Sequence, residues 1–587
     1  DDIDALWANL LAERDSIGKL PANRWHQAPA IGHAGVIESI DEFDSLFFGI
    51  SPSEAQAMDP QQRLLMLYVY RVIEDAGYSV QSLSGSDTAL LVGNAAGNGY
   101  GHLLAQAGET VAGYSAAGLA GSMGPNRMSY WLNWHGPSEP IDTACSSSLV
   151  AVHRALELLR SGQCAQAVVG GVNTLLSMEM HESFTRAGML SRDGRCKTFS
   201  AQADGYARGE GVGMVFLKPL PAAERDGDHI YGLIKGSATN HGGRANSLTA
   251  PNPRAQANLI KAALKQAGVE PETVGYIEAH GTGTPLGDSV EVQGLKSAFA
   301  ELATGLPVGY CGLGSVKSNI GHLELAAGVV GLIKVLLQLQ HRTLVKSLHC
   351  EEVNPLLALG KSPFYVVQQT RAWEALRDRQ GQALPLRAGV SSFGFGGVNA
   401  HVIVEEYVGP PRVTTVSGPV VVVLSARNEE RLRAQVQQLL AYLERQPEVN
   451  LIDLAYTLQV GREALGVRLA LVVRSVDGLQ ERLSGYACGE TAQEDTVHGE
   501  VKREQGTLAV FRADEELQEA IGKWIARGKL SKLAQLWVQG LEVEWERLYA
   551  QTKPQRISLP TYPFAKERYW ISQTVVPGGP ERQLHPL

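Results

Sequence analysis

The sequence predicts an α/β chain built from two similar halves, with a smaller α/β unit after them. Short apolar stretches typical of buried strands alternate with segments of helical periodicity. A strand, a polar turn with a reactive-type residue and a long helix occur in that order around Cys145 and again around His322. After Tyr407 the composition changes and a new strand–helix pattern begins. These observations predict a duplicated core with an appended subdomain.

Length and composition limit the classes of function. The chain has 587 residues, 44% hydrophobic and 19% charged, which predicts two or three globular domains. The net charge of −9 gives no reason to expect nucleic-acid binding, and no apolar run is long enough to span a membrane. The six cysteines show neither disulfide nor metal-ligand spacing, and no signal peptide opens the chain. We therefore expect a cytoplasmic protein without metal, nucleic-acid partner or membrane association.

The first half, about residues 1–217, contains the elements that lead to Cys145. Proline in the first turn marks two of its helices, and runs of apolar residues mark its strands. The predicted helices are 4–13, 60–76, 125–131 and 149–159, and the predicted strands are 88–93, 165–171 and 213–217. Residues 181–213 form a long loop-rich stretch, and such loops inside compact domains are usually functional.

Cys145 is the candidate nucleophile. Ser146, Ser147 and Ser148 follow it, and apolar residues then recur at helical spacing up to Gly162. Serine side chains satisfy free N–H groups in a first helical turn, so we place Cys145 at or just before a helix N-terminus. There the helix dipole is expected to lower the pKa of the thiol. Taken alone, a lone cysteine is more often a buried structural residue.

The second half, about residues 218–407, repeats the arrangement. Helices are predicted at 254–266 and from the turn at 314–322 through residue 339, and strands at 230–234, 274–278 and 402–405. We expect the strands 213–217 and 230–234 to form an antiparallel pair. The helix that ends at 339 is rich in small residues early, as a close-packed buried helix requires.

Two histidines and one lysine are the candidate partners of Cys145. His280 follows a strand and precedes small, flexible residues, which presents its side chain at the carboxyl edge of a sheet. His322 lies at a helix start, and Lys317 lies five residues before it in an otherwise uncharged turn. The glycine-rich loop 394–397 allows N–H groups to approach a reacting oxygen. Each feature alone is ordinary, but their combination predicts nucleophilic catalysis.

Beyond residue 407 the sequence predicts a linker subdomain and a terminal segment. Strands at 420–424 and 468–473 and helices at 429–445 and 451–459 indicate a small α/β unit within residues 408–550. Residues 551–587 include the apolar, proline-punctuated stretch 557–564. We expect that stretch to pack back along the first domain rather than to fold alone.

Three motifs resemble the signature motifs of β-ketoacyl synthases, in the same order. They are the stretches 143–148 (TACSSS), 278–284 (EAHGTGT) and 317–322 (KSNIGH). The loop 394–399 resembles the gating and oxyanion loop of that family, and the similarity covers residues 1–407 without a break. The stretch 240–247 (NHGGRANS) is similar to ketosynthases of modular polyketide synthases whose acyltransferases act in trans. The resemblance implies a thiolase-like fold, with two βαβαβαββ halves layered α-β-α-β-α, and a part in antibiotic biosynthesis.

The resemblance also implies a reaction, a decarboxylative Claisen condensation. Cys145 would take an acyl chain from the phosphopantetheine arm of an acyl carrier protein. His280 and His322 would stabilise the enolate that forms as malonyl carrier protein loses CO2. The enolate would attack the acyl-cysteine and extend the polyketide by a β-keto unit, with no cofactor bound to the enzyme. The remaining roles are Lys317 and Glu324 as supports of His322, Cys145, Phe395 and Gly396 as oxyanion hole and gate, and Thr282 and Thr284 as pantetheine-binding residues.

The implied partners are acyl carrier proteins, a separate acyltransferase and a second copy of the chain. Too few residues lie between the linker-like unit and the terminal segment for an acyltransferase domain, and no Gly-His-Ser-x-Gly motif occurs. The segment 110–119 and the strand 167–171 resemble the family's dimer surface, where an apolar edge strand would be buried.

One departure and several alternatives remain. Ser289 follows Gly287-Asp288, where the family commonly has proline, and this removes no catalytic group. A thiolase would need a second cysteine late in the chain, and a papain-like hydrolase would need no second histidine motif. The main alternative is a non-elongating ketosynthase that acts as an acyl relay or gatekeeping module, from which release of CO2 distinguishes a condensing enzyme.

Overall fold

Two mixed β-sheets and a third, smaller sheet form the framework of the protein, seen here in a computed structural model. The structure describes residues 2–21, 25, 29–95, 99–108, 113, 115–176, 178–409, 418–490, 495–501, 515–549 and 554–571. Within these residues, no helix combines the length and the apolar character that crossing a bilayer requires.

The first half contains nine described helices and seven strands. The helices are Ile3–Leu11, Pro52–Ala57, Pro60–Asp75, Val80–Leu83, Tyr100–Gln106, Ser115–Leu119, Met123–Leu132, Ser147–Arg160 and Met178–Arg186. The strands are Ile17–Lys19, His33–Gly35, Glu42–Phe43, Ala89–Gly93, Ser138–Ile141, Ala167–Asn173 and Gly211–Leu217. Prolines in the first turn start the helices at Pro52 and Pro60, where Ser51 and Asp59 cap the free N–H groups.

The second half is similar in content. Its helices are Leu220–Asp226, Pro253–Ala267, Pro285–Leu302, Lys317–Ile320 and Ala327–Gln340. Its strands are Leu233–His241, Tyr276–Glu278, Cys311–Gly314, Thr343–Leu344, Phe364–Val366, Arg371–Ala372, Arg387–Phe393 and Val398–Glu405. The turn at 314–322 contains only the short helix Lys317–Ile320, and the 3-10 turn Glu324–Ala326 follows it. The long helix therefore starts at Ala327, later than the sequence predicts.

The two main sheets share one topology, which confirms the duplication. The first sheet runs in the order 138–141, 89–93, 167–173, 211–217. The second contains the equivalent order 311–314, 276–278, 387–393, 398–405, with extra edge strands at 364–366 and 233–241. In both sheets the first three of these strands are parallel and the fourth is antiparallel to the third.

The two main sheets and their helices form five layers, α-β-α-β-α, as the thiolase-like fold requires. The first central helix, Ser147–Arg160, and the second central helix, Ala327–Gln340, lie between the two sheets and contact strands of both. The helices 60–75 and 123–132 contact the first sheet, and the helix 253–267 contacts the second. Each central helix follows the equivalent strand of its own half, so the halves meet at their central helices.

The starts of the two central helices approach each other closely. Ser148 at the start of the first accepts the N–H of Val329 in the second at 3.0 Å, so one helix supplies the other's N-terminal capping contact. Gly171 lies against both starts, because a Cβ there would be 2.8 Å from the Leu325 oxygen and 3.0 Å from the Ala326 Cα. A residue without a side chain is therefore needed at this position of the first sheet.

Two strand placements differ from expectation. The strands 211–217 and 233–241 do not pair with each other, because the second joins the strand 398–405 at the far edge of the second sheet. The strand 167–173, expected as an edge at the dimer surface, is flanked on both sides within the first sheet. The edge strands of that sheet are Ser138–Ile141 and Gly211–Leu217, and the segment 110–119 lies partly outside the described residues.

The chain after residue 418 adds a three-stranded antiparallel sheet with helices. Its strands are Val420–Ala426, Val467–Val473 and Thr496–Glu500, in that order across the sheet. Its helices are Glu429–Arg445, Leu451–Val460, Val476–Ala487, Glu515–Ala526 and Leu530–Val538. One continuous cluster of buried apolar residues extends from the first half through this unit.

Residues 554–571, here called the C-terminal strap, run between the small sheet and the first half. Arg462 donates from Nη1 to the Glu74 carbonyl and from Nη2 to the carbonyls of Leu559 and Pro560, so it joins three segments. The strap's rings complete an aromatic cluster with the first half, formed by Phe47, Phe48, Tyr70, Trp131, Tyr562 and Phe564. The short strand Glu567–Arg568 pairs with Glu42–Phe43. A part of residues 551–587 lies outside the described residues.

Replacing Gly171 with alanine should destabilise the protein, because the new methyl group meets main-chain atoms that cannot move aside. We expect a loss of about 1–3 kcal/mol, the usual cost of overpacking a well-packed core. The measurement is the midpoint of urea unfolding. Gly18→Ala is the matched control, since this glycine also lies in a strand and a Cβ there meets open space. An equal midpoint for the two variants would contradict the close approach.

Candidate active site

Cys145 lies in a 3-10 turn, Ala144–Ser146, directly before the first central helix, as the sequence predicts. Ala144 adopts a φ of 57°, a left-handed conformation that costs a non-glycine residue about 1–2 kcal/mol. Ser147 stabilises the turn, because its hydroxyl donates to the Ala144 carbonyl at 2.6 Å and accepts the Thr143 N–H at 2.9 Å. The serines therefore shape the turn that presents the thiol.

The structure brings Cys145, His280 and His322 together. The Cys145 Sγ and one ring nitrogen of each histidine all lie within 4.8 Å of one another. The histidine rings meet edge to face with centroids 5.4 Å apart. His280 follows the strand Tyr276–Glu278 of the second sheet, and His322 precedes the second central helix. Both halves thus contribute to one site.

His322 is held in a single tautomer. Its Nδ1 accepts the backbone N–H of Glu324 at 2.9 Å, so the ring proton of the neutral imidazole is on Nε2. Tyr206 packs edge to face against the ring at 5.2 Å. Burial, together with the positive charges of Lys317 and Arg208, lowers the pKa of His322 well below 6.5. The residue is therefore a neutral hydrogen-bond donor.

His280 is fixed through its backbone. The carboxylate of Glu291 accepts the N–H groups of His280 and Gly281 at 2.8 and 2.9 Å. The His280 Nδ1 is buried without a hydrogen-bond partner in the described structure. Burial, then the charges of Lys317 and His322, lowers the pKa of His280 well below 6.5. This imidazole is neutral and retains a nitrogen lone pair.

The same three side chains resemble a transition-metal site in composition, but their hydrogen bonds argue against that use. A metal-binding histidine normally donates its second ring N–H to an acceptor. The His322 Nδ1 instead accepts an N–H, so Nε2 carries a proton and has no free lone pair for a metal. The donor set suits proton and hydrogen-bond chemistry.

The Cys145 thiol differs from the sequence-based expectation. Burial is the largest cause and the negative charge of Glu324 the second largest, and together they raise the pKa of this thiol to about 12. The backbone N–H groups of Phe395 and Cys145 and the charge of Lys317 act in the opposite direction without cancelling the rise. The expected lowering by the helix dipole is therefore wrong, and the resting form is the thiol.

The glycine-rich loop lies over Cys145. The Phe395 N–H is directed at the Cys145 sulfur, and Ser392 Oγ donates to the Cys145 carbonyl at 2.6 Å. The Phe395 ring is 43% exposed. The Gly396 carbonyl accepts a hydrogen bond from His241 Nε2 at 3.1 Å. Two N–H groups, those of Cys145 and Phe395, thus point to the sulfur.

Glu324 pairs with a cation that the sequence analysis did not name. Its carboxylate contacts the Arg208 guanidinium at 2.5 and 3.0 Å. Burial lowers the pKa of Lys317, and the charges of Glu278 and Glu291 act in the opposite direction. The backbone of Glu324, and not Lys317, makes the described hydrogen bond to the His322 ring.

Thr282 and Thr284 lie in the turn that follows His280. Their hydroxyl groups are 3.0 Å apart, and Thr284 also accepts the Gly287 N–H at 3.2 Å as the N-cap of the helix Pro285–Leu302. Both side chains are partly accessible. Thr284 therefore has a structural role in addition to any contact with a substrate.

Three functional residues were missed by the sequence analysis. Asp288 accepts the N–H groups of Phe199 and Gly283, and Glu291 supports His280 in the same way. Burial raises the pKa of Asp288 to about 6 and that of Glu291 to about 7. Asp288 and Glu291 follow the His280 motif and are three residues apart, which places them on one face of a helix. This spacing could have identified them from the sequence. No comparable signal identifies the third, Arg208, whose partner is distant in sequence.

Fold and site together define a condensing acyltransferase of the thiolase-like class. Comparison with models of protein families supports this class. A model of the β-ketoacyl synthase N-terminal domain matches residues 1–223, and one of the C-terminal domain matches residues 231–351. A model of the RhiE-like KS-MAT linker domain matches residues 423–490. The chain belongs to the β-ketoacyl synthase family and is a ketosynthase of the polyketide synthase type.

Several characterised proteins are similar along nearly the whole chain. Polyketide synthase PksN of Bacillus subtilis is 53% identical over 98% of this chain, and PksL of the same organism is 45% identical over 97%. The chain spans 11% and 13% of the length of these relatives. The solved ketosynthase from module 6 of the B. subtilis bacillaene synthase is 38% identical, with a TM-score of 0.89 and 97% of each chain covered.

The rate of Cys145 alkylation by iodoacetamide should increase about tenfold per pH unit between pH 7 and 9, because only the thiolate reacts and its pKa is higher than this range. Peptide mass spectrometry resolves this site from the exposed Cys488. Cys145→Ala identifies the relevant peptide by its loss. A rate that is already constant below pH 7 would show that the thiolate is the resting form.

Proposed function

We propose that this chain extends an acyl chain held on Cys145 by decarboxylative Claisen condensation with malonyl carrier protein. The observation that carries the proposal is the meeting of one thiol and two neutral imidazoles within 4.8 Å, below a loop whose N–H is directed at the sulfur. A nucleophile, a proton acceptor, a proton donor and an oxyanion hole are then available in one site.

The first step transfers the acyl group. The Cys145 thiol gives its proton to the free lone pair of His280, and the sulfur attacks the thioester carbonyl of the acyl carrier. The N–H groups of Cys145 and Phe395 stabilise the oxyanion. The carrier thiolate leaves and takes the proton from His280, so charge and protons balance. Phe395 acts as the gate, and Gly396 lets the loop move beside it.

The second step forms the new carbon–carbon bond. His280 and His322 donate hydrogen bonds to the thioester oxygen of malonyl carrier protein while its carboxylate leaves as CO2. The electron pair of the broken bond becomes an enolate, which attacks the acyl-cysteine carbonyl and releases the Cys145 thiolate. A proton from solvent then restores the resting thiol. The His322 Nε2–H suits this role, because its tautomer is set before substrate arrives. Lys317 and Glu324 support this ring through the local charge.

The partners follow from this chemistry. Substrates arrive on the phosphopantetheine arm of acyl carrier proteins, and Thr282 and Thr284, whose hydroxyl groups are 3.0 Å apart, bind that arm beside His280. We assign residues 1–407 to the ketosynthase, 408–550 to the linker subdomain and 551–587 to a terminal segment, of which the C-terminal strap packs back on the first half. The six free cysteines support a cytoplasmic location, where thiols stay reduced.

His322→Ala should separate the two steps. Acylation should continue, because His322 carries a proton on Nε2 and does not accept the thiol proton. CO2 release should fall by about 10²–10³, the usual effect of losing one oxyanion donor. Intact mass after exposure to an acyl thioester reports the first step, and conversion of malonyl to acetyl carrier reports the second. Cys145→Ala is the control that abolishes acylation. Acylation of the wild-type protein without any CO2 release would favour a non-elongating relay.

Malonyl units should have to be supplied by a separate acyltransferase. The chain contains no Gly-His-Ser-x-Gly motif, the strand–turn–helix elbow on which such a transferase carries its serine. Mixing the protein with holo carrier protein and malonyl-CoA should therefore leave the carrier mass unchanged. Adding a purified acyltransferase is the positive control. Stoichiometric malonylation by this chain alone would contradict the proposal.

The protein should form a homodimer through the edge strand Ser138–Ile141. That strand is paired on only one side, and it leads directly into the Cys145 turn. Pairing with the same strand of a second copy would satisfy its free backbone groups. Sedimentation at micromolar concentration should give a dimer mass. Ser138→Pro should shift it towards the monomer, because residues 137 and 139 face the strand 89–93 and proline at 138 removes a donor from the free side of the strand. A monomer in the unaltered protein would overturn this assignment.

A further inference from the structure

Arg208 borders the catalytic histidine through its main chain. The His322 N–H donates to the Ala207 carbonyl at 2.7 Å, and the Gly209 N–H donates to the His322 carbonyl at 2.8 Å. The two segments form a parallel bridge at Arg208 and His322. The loop-rich stretch of the first half therefore carries the residue that lies directly beside His322.

The Arg208 side chain binds the residue that sets the His322 tautomer. Its guanidinium holds both carboxylate oxygens of Glu324, and only 6% of the Arg208 side chain is exposed. Glu324 has a φ of 45°, a left-handed conformation that costs about 1–2 kcal/mol. A bidentate pair fixes the plane of both groups, so it holds this backbone in place. The N–H of that backbone donates to the His322 Nδ1.

A third contact links Arg208 to the gate. Its guanidinium lies over the Phe184 ring, 5.1 Å from the centroid. Phe184 meets the Phe395 ring edge to face at 6.2 Å. The guanidinium is therefore enclosed between a carboxylate and an aromatic face, which suits a planar cation and not the ammonium of lysine.

We propose that Arg208 is a positioning residue which, through Glu324, keeps the proton of His322 on Nε2 and directs it into the site. This inference rests on the proposed condensation, because it assigns the support of the enolate-stabilising donor. Arg208 itself touches no reacting atom.

The charges around His322 determine the effect of removing Arg208. Lys317 and Arg208 are the cations, Glu324 is the anion, and the remaining titratable neighbours are Cys145, His280 and Tyr206. Arg208→Gln removes a cation and leaves the Glu324 carboxylate unpaired. Both changes raise the pKa of His322, so the imidazolium forms at higher pH than in the unaltered protein. A proton on Nδ1 then opposes the N–H of Glu324.

The kinetic test compares Arg208→Gln, Arg208→Lys and Arg547→Gln. Arg547 is the matched control, because it pairs with Glu544 at 2.9 Å on the surface of the linker subdomain. In Arg208→Gln we expect CO2 release from malonyl carrier to fall about 10²-fold, the typical effect of a misplaced group, while acylation of Cys145 and the KM for the carrier change little. The acid limb of its pH–rate profile should move to higher pH. Arg208→Lys should also lose CO2 release, and Arg547→Gln should not. Normal CO2 release by both Arg208 variants would overturn the proposal.

A spectroscopic test separates this inference from the reaction itself. In protein labelled with 15N-histidine, the signals lost in His322→Gln identify the ring, and their shifts report the tautomer. We expect the neutral Nε2–H form at pH 7 in the unaltered protein and its loss in Arg208→Gln; the same form in both would overturn the proposal. If Arg208→Gln does not fold, Arg208→Lys provides the comparison. Absence of CO2 release from the unaltered protein would disprove the proposed condensation, whereas the tautomer comparison would still decide the role of Arg208.

Discussion

The close approach of two helix starts is the constraint on which the rest of the structure depends. Ser148 of one central helix binds the N–H of Val329 in the other, and this contact holds the two halves of the fold in register. Cys145 lies immediately before the first helix and His322 shortly before the second. A shift of either helix would move the nucleophile away from the proton donor. The small residues around the contact are therefore as important for catalysis as for packing.

The electrostatic character of the site follows from its position between two sheets. Both imidazoles are neutral and the thiol is protonated at rest, because burial disfavours every charged form. The charges that remain, on Lys317, Arg208 and Glu324, lie around the reacting atoms rather than on them. Such a site develops charge only during reaction, when its preoriented N–H groups stabilise it most effectively.

Local sequence signals predicted much of this arrangement. The serines after Cys145 indicate a helix start, and glycines after His280 indicate a sheet-edge turn, because both depend on neighbouring residues only. The sequence did not predict the pairing of 233–241 with 398–405, which joins segments far apart in the chain. It also did not predict the Arg208–Glu324 pair or the rise in the Cys145 pKa. Those properties depend on burial and on contacts between the two halves, which no local pattern records.

Part of the contact between the C-terminal strap and the rest of the protein is made by the strap's backbone, and this affects how the domain can be exchanged between synthases. Arg462 binds the carbonyls of Leu559 and Pro560, and Arg431 binds those of Pro563 and Phe564. Carbonyl groups are the same in every sequence, so these contacts do not select particular side chains along the strap. Other contacts do require particular side chains: the aromatic rings must fit their cluster, and the buried Arg556 donates to the Gly77 and Asp226 carbonyls and pairs with Asp228. A recombination junction is therefore better placed after residue 571 than at the end of the ketosynthase core, since a cut before the strap would expose the aromatic cluster to water.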